Sequence, residues 1–350
     1  MRTSPFYITR QGAAYLGDAL DLLEELDAGA VQLVITSPPF ALQREKSYGN
    51  VDQSRYVDWL AAFCRKVYRI LAEDGSFVLD LGGAYQKGRP VRSLYYYRIL
   101  LKLCDELEFR LAEEFFWHNP AKLPSPIEWV NKRKLRVKDS VNTVWWLSKS
   151  DYPKADVQRV LVPYSERMKK LQSNPTAFYT PKLRPSGHDV GDKFATTNEG
   201  AIPSNLLQIA NTESNSRYLQ LCKAAGVPAH PARFPQKLPA FFIHFLTEPG
   251  DTVLDIFAGS NTTGAAAEEA GRNWIAFEQD RQYLTASAFR FLDEEYSPDQ
   301  AIACYNKLVE GQETVCLPQS PQQRLTLLME AEEAYCLESA SYPVNFSIRT

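Results

Sequence analysis

In Val31-Gln-Leu-Val-Ile-Thr36-Ser37-Pro38-Pro39-Phe40 a short apolar, β-branched run gives way to two consecutive prolines. Val31 to Ile35 is long enough for one buried strand. The prolines end it, because each fixes its φ and lacks an N–H, and Pro39 also pushes Pro38 out of helical geometry. The outcome is a stiff, extended turn at the carboxyl end of a strand, the edge at which open α/β sheets bind ligands. There the Ser37 hydroxyl and the Pro38 carbonyl become fixed acceptors beside the aromatic face of Phe40. Two acceptors and a ring suit a flat heterocycle with an exocyclic amino group. A strand that merely happens to end in Ser-Pro-Pro is the plainer reading, and this stretch alone leaves the two level.

Outward from that turn the chain alternates in a regular rhythm. Before it, Asp18 is placed to cap a short amphipathic helix, Ala19 to Leu23. After it come a polar loop (Gln43 to Ser54) and an amphipathic helix over Tyr56–Ala72, with Trp59, Leu60, Phe63, Val67 and Leu71 on one face. Next are a strand from Ser76 to Leu81 ended by Gly82-Gly83, a helix from Ser93 to Leu107 and a strand from Glu113 to Trp117. Strand and helix in turn predict a doubly wound, mostly parallel α/β sheet. Asn142 to Leu147 reads as a further strand. The irregular, proline-bearing stretch 151–229 reads as a functional insertion rather than a connector. The chain thus divides into 1–150, the insertion 151–229, a second α/β part 230–296 and an acidic extension 297–350. Within that extension Leu325 to Leu337 is one plausible helix.

A second turn lies more than two hundred residues on, in Thr252-Val-Leu-Asp255-Ile-Phe257-Ala-Gly259-Ser260-Asn261-Thr262-Thr-Gly264. A strand enters a glycine turn, a helix follows, and the next strand, Trp274 to Phe277, ends in Glu278. This is one half of a nucleotide-binding unit: the terminal acid suits two ribose hydroxyls, and the helix N-terminus offers free N–H groups. The turn has neither a Gly-x-Gly-x-x-Gly pattern nor a phosphate-binding lysine, so S-adenosylmethionine fits it better than a dinucleotide or a nucleoside triphosphate.

The 350 residues are 45% hydrophobic and carry a net charge of −3. No apolar run is long enough to span a membrane and no signal peptide opens the chain, which predicts a soluble, cytoplasmic protein. Six cysteines lie scattered, so no metal site is expected. The small net charge hides an uneven distribution: residues 121–190 hold 14 Lys and Arg against 6 Asp and Glu, a balance of +8. A basic segment on an acidic body is the pattern of a local polyanion site.

Taken together, Thr36-Ser-Pro-Pro-Phe40 and the later Asp255-Ile-Phe-Ala-Gly-Ser260 resemble the β class of amino-DNA methyltransferases. In that class the methyltransferase-type sheet has a circularly permuted motif order, with target recognition inserted between the catalytic and the cofactor turn. Phe40-Ala-Leu-Gln-Arg44, Asp80-Leu-Gly-Gly-Ala-Tyr85, Lys122-Leu-Pro-Ser-Pro-Ile-Glu-Trp129 and Arg184-Pro-Ser-Gly-His188 are similar, more narrowly, to cytosine-N4 modification enzymes acting at 5′-CAGCTG. The resemblance covers about residues 10–295. It implies a catalytic motif at Ser37, Pro38, Pro39 and Phe40. It implies S-adenosylmethionine held by Asp18 (the adenine amino group), Asp255, Phe257, Gly259, Ser260, Asn261, Thr262 and Glu278, with His230 to Phe234 bordering the methionine end. Double-stranded DNA would meet Lys122, Lys132, Arg133, Lys134, Arg136, Lys182 and Arg184. It further implies a restriction endonuclease for the same site as companion, and leaves monomer or homodimer open. Asn261 departs from the commoner glycine, at little cost because Asn tolerates positive φ.

The expected chemistry is a direct displacement. The amine's two N–H groups bond to Ser37 and the Pro38 carbonyl, which turns the nitrogen lone pair toward the methyl group, and the base must first leave the duplex. A cytosine-C5 enzyme would need a nucleophilic cysteine after proline, and no Pro-Cys pair exists in the chain. An adenine-N6 enzyme, which usually has Asp at the position of Ser37, and a catalytically silent DNA-binding protein stay open as alternatives.

Overall fold

The computed structural model describes residues 1–41, 52–174, 198–212, 216–292, 295–311 and 314–317. Lys182, Arg184, the loop at Gln43–Ser54 up to Val51, and the helix expected at Leu325–Leu337 lie outside them.

A ten-stranded sheet runs β10-β1-β2-β9-β8-β3-β4-β6-β5-β7. Its strands are β1 (Tyr7–Ile8), β2 (Gly12–Leu16), β3 (Val31–Thr36), β4 (Leu71–Leu81), β5 (Arg110–His118), β6 (Val141–Ser148), β7 (Leu206–Gln208), β8 (Thr252–Asp255), β9 (Asn273–Glu278) and β10 (Val315–Cys316). The central run β2-β9-β8-β3-β4 is parallel throughout, as doubly wound, while β6 is antiparallel to both neighbours. The helices are α1 (Ala19–Glu24), α2 (Gln53–Ile70), α3 (Tyr95–Asp105), α4 (Glu166–Ser173), α5 (Arg217–Ala224), α6 (Lys237–Leu246), α7 (Thr262–Glu269), α8 (Arg281–Ser287) and α9 (Pro298–Glu310).

Every residue of β3 is buried, as suits a central parallel strand covered on both faces. Val34 joins the core formed with α1, α2 and α3, whereas Leu33 and Ile35 join the core formed with α6 and α7. One strand therefore anchors both layers, and the turn that follows it is held by the whole sheet. Its neighbour on one side is β8, registered through Leu33↔Val253 and Val34↔Leu254, and on the other β4, through Thr36↔Leu79. The permuted order thus places the two informative turns side by side at one edge.

Several boundaries differ from expectation. Asp52 caps α2, which ends at Ile70 because Leu71 turns extended and opens β4. The helix is expected to run to Ala72 and the strand to begin at Ser76, but residues 71–75, Asp74-Gly75 among them, lie within β4. The insertion is not wholly separate from the sheet, since Leu206–Gln208 pairs in parallel with β5 as β7. The C-terminal extension begins inside the fold too: α9 buries Ala301 and Leu308, and Val315–Cys316 pairs with β1. None of the described helices is long and apolar enough to cross a membrane.

Candidate active site

A cavity of about 480 Å³ opens at the carboxyl edge of the parallel strands. Gly17 and Asp18 after β2, Ser37 to Phe40 after β3, Asp80 in β4, Ile256 to Ser260 after β8 and Glu278 at the end of β9 all line it. Two turns separated by more than two hundred residues therefore share one cavity. Because β6 runs antiparallel, its start contributes Asn142 to the same edge, where β5 leaves Trp117 and Asn119.

At the end of the cavity formed by the Ser37–Phe40 turn, the Ser37 hydroxyl donates to Asp80 Oδ2 at 3.0 Å, and Asn142 Nδ2 donates to Asp80 Oδ1 at 3.2 Å. Burial pushes the Asp80 carboxyl up to about 6, opposed by those two bonds and by the charge of Lys122. At neutral pH Asp80 is mostly ionised and accepts the hydrogen bond from the Ser37 hydroxyl, so lone pairs of the Ser37 oxygen remain to accept bonds from a ligand. The Phe40 ring lies over Gly82, where a Cβ would stand 2.4 Å from it. Only glycine allows that close approach.

The other end is shaped for a flat base and a ribose. Phe257 packs against Trp59 and Phe63 at ring distances of 5.7 and 5.0 Å, and Phe40, Trp59, Phe63, Phe257 and Phe277 all line the cavity. Asp18 caps α1 through a 2.8 Å bond from Leu20 N and also borders the cavity. Glu278 Oε2 accepts from Gly259 N and Oε1 from Asp280 N, each at 2.8 Å. Burial holds its carboxyl above the usual range. An aromatic slot with two carboxylates along it fits S-adenosylmethionine: rings for the adenine, acids for its amino group and the ribose hydroxyls. Gly259 takes a left-handed φ of 53° beneath the His230 ring, which burial lowers to about 4 and so keeps neutral at pH 7.

Two expected ligand residues sit behind the cavity rather than in it. Asp255 accepts from Thr36 Oγ1 (2.6 Å), Thr263 Oγ1 (2.7 Å) and Phe257 N (3.1 Å), and so locks the β8 turn to the β3 turn. Asn261, fully buried at φ 51°, caps α7 through Gly264 N and donates to the Tyr7 hydroxyl. Among the basic residues expected to meet DNA, Lys122 lines the cavity itself. Lys132, Arg133, Lys134 and Arg136 instead stand exposed on the segment between β5 and β6. There Lys132 and Arg133 pair with Glu128 at 3.5 and 2.9 Å, and Arg136 donates to the Pro90 carbonyl.

Asp80, Asn142 and Arg290 join the expected residues around the two turns. Asp80 had a visible signal, an acid closing the apolar run Phe77-Val-Leu. Arg290, which bonds the Ser260 carbonyl (2.7 Å) and hydroxyl (3.0 Å) and lies over the Tyr218 ring, had none. Among the described residues no group of three or more His, Cys, Asp or Glu could hold a metal ion.

The family model described as DNA methylase matches residues 31–289. The type II methyltransferase M.PvuII of Proteus hauseri is 58% identical over 308 residues, covering 88% of this chain and 92% of that protein. M.ScaI of Streptomyces caespitosus is 25% identical over 298 residues, covering 84% and 85%. The solved structure titled PvuII DNA methyltransferase (cytosine-N4-specific) superposes with a TM-score of 0.74 at 50% identity, covering 90% of this chain and 98% of that one.

Proposed function

The chain belongs to the DNA methylase family, a methyltransferase acting on DNA, and from that premise we propose that it moves a methyl group from S-adenosylmethionine to N4 of a cytosine flipped out of duplex DNA. The observation that carries this reading is the shared cavity, lined by the Ser37–Phe40 turn at one end and by Phe257, Gly259 and Glu278 at the other. The cytosine-N4 specificity of the solved PvuII methyltransferase, 50% identical, supports the choice of base. The target is 5′-CAGCTG, by the resemblance drawn above, with its internal cytosine as acceptor. A restriction endonuclease cutting the same site is the companion this role requires.

The residues act by position. Asp18 and Glu278 hold the cofactor's nucleoside, and Phe257 with Trp59 and Phe63 covers its base. The bound cofactor supplies an electrophilic methyl group on a sulfonium. The flipped cytosine stacks on Phe40, and its amine donates one N–H to Ser37 and the other to the Pro38 carbonyl. Those bonds draw the nitrogen toward tetrahedral geometry and turn its lone pair toward the methyl group. The proton released on transfer has a path from Ser37 to Asp80, whose carboxylate already accepts the serine hydroxyl. The hydrogen bonds from Ser37 and Asn142, and then the charge of Lys122, favour the ionised form of that carboxylate against its burial.

The test is methylation of plasmid DNA by the purified protein with S-adenosylmethionine, followed by mass spectrometry of the nucleosides. N4-methylcytosine, together with resistance of the plasmid to an endonuclease cutting at CAGCTG, is the expected result. N6-methyladenine, or cofactor binding without methylation of any duplex, overturns it.

A further inference from the structure

Between β5 and β6 the chain makes an excursion whose exposed apolar residues the fold itself does not explain. It is closed at its base by Asn119 N donating to the Ser140 carbonyl at 2.9 Å. Lys138 Nζ ties the two limbs together, donating to the carbonyls of Pro120 (3.1 Å) and Lys122 (3.2 Å). Directly after the cavity-lining Lys122 stands Leu123, 80% exposed, and directly before Lys138 stands Val137, 86% exposed. Around them are Lys122, Lys132, Arg133, Lys134, Arg136 and Lys138, against Glu128 and Asp139 alone.

Single apolar residues on a surface need no explanation. An exposed apolar side chain next in sequence to a cavity-lining lysine, within a cationic segment, is a narrower case. The occupant that satisfies both features is a polyanion with an apolar interior, the stacked duplex, whose phosphates meet the cations while its base stack accepts the side chain. We propose that Leu123 is the wedge that enters the stack where the target base leaves it, filling the vacated space while the base occupies the cavity. Leu123 takes this place rather than Ile127, Leu135 or Val137, which are also exposed on the excursion, because it alone of the four directly follows the cavity-lining Lys122. The proposal rests on the flipping reading above and adds the residue that stabilises the flipped state.

The experiment compares wild type and Leu123→Ala on two CAGCTG duplexes, one fully paired and one with an abasic site opposite the target cytosine. Because Leu123 is exposed, the variant should melt with the wild type. On the paired duplex kcat/KM should fall about tenfold or more, because the wedge offsets the unstacking and unpairing of the target base. On the abasic duplex, where no partner base holds the target in, the variant should approach the wild-type rate. Leu123→Met should retain most of the activity on both. Equal loss on both duplexes, or loss on neither, overturns the wedge. Failure of the underlying reading is separate, since it appears as absence of turnover by the wild type on either duplex.

Discussion

At Ser37 the hydroxyl proton is directed to Asp80 Oδ2, so the oxygen has lone pairs left for the cavity. That arrangement depends on Asp80 being ionised. As pH falls through about 6 the carboxyl protonates and competes for the Ser37 oxygen, so kcat should drop on an acid limb near pH 6. Asp80→Asn should lower kcat and flatten that limb, which a pH–rate profile of both proteins measures. Stability should move the other way. With its carboxyl raised from 3.8 to about 6, the folded state binds this proton more tightly than the unfolded chain. The resulting contribution is full below about pH 4 and is lost as pH rises through 6, a relative cost on the order of 3 kcal/mol at pH 7. Asp80→Asn should therefore resist urea better than wild type at pH 7 and lose that advantage by pH 4. At the other end of the cavity, Glu278→Ala should weaken S-adenosylmethionine binding in calorimetry while duplex affinity at low salt stays near normal. Equal losses in both would instead mean a damaged fold.

At the level of elements, the turn after β8 and the segment between β5 and β6 show what a sequence can and cannot tell. The first was legible as strand, glycine turn and helix because its signals are local. Which of its residues face the ligand was not legible, because Thr36 and Thr263, one of them on another strand, claim the Asp255 carboxylate. Asn261 likewise proves to be a helix cap in left-handed geometry. Asn261→Ala should cost about 1–3 kcal/mol through the lost cap and the strained φ, and Asn261→Gly clearly less. Thermal melts of the two variants compare them. In the segment between β5 and β6 the charge was readable, but the entry of Lys122 into the catalytic cavity depends on the return of β6 beside β4. Replacing Lys132, Arg133 and Lys134 together by alanine should weaken binding to every duplex and reduce the salt slope by up to about 3, since phosphate contacts act through counterion release. A loss confined to one DNA sequence would make these residues base readers instead.

Over the whole molecule, the alternation of strand and helix foretold a doubly wound sheet, and the Ser-Pro-Pro-Phe turn foretold the edge at which the cavity lies. The adjacency of β3 and β8 comes from tertiary pairing across more than two hundred residues, and no local pattern carries it. The same holds for Asp80, which reaches Ser37 only because β4 lies beside β3 with Thr36 opposite Leu79. That 298–311 and 314–317 join the fold is not legible in the sequence, because so few apolar positions, Ala301, Leu308 and Leu317, anchor them. That joined edge makes the central claim testable in one measurement: single-turnover methylation of a CAGCTG duplex by wild type and Ser37→Ala, with the product nucleoside identified and both ligands' affinities recorded. Loss of one acceptor at the reacting amine should slow transfer by about 10²–10³. The wild-type product should be N4-methylcytosine at the internal cytosine, and the affinities of the variant for cofactor and DNA should be unchanged. Transfer by Ser37→Ala at close to the parental rate would contradict the account, because the amine would then be oriented by some other group.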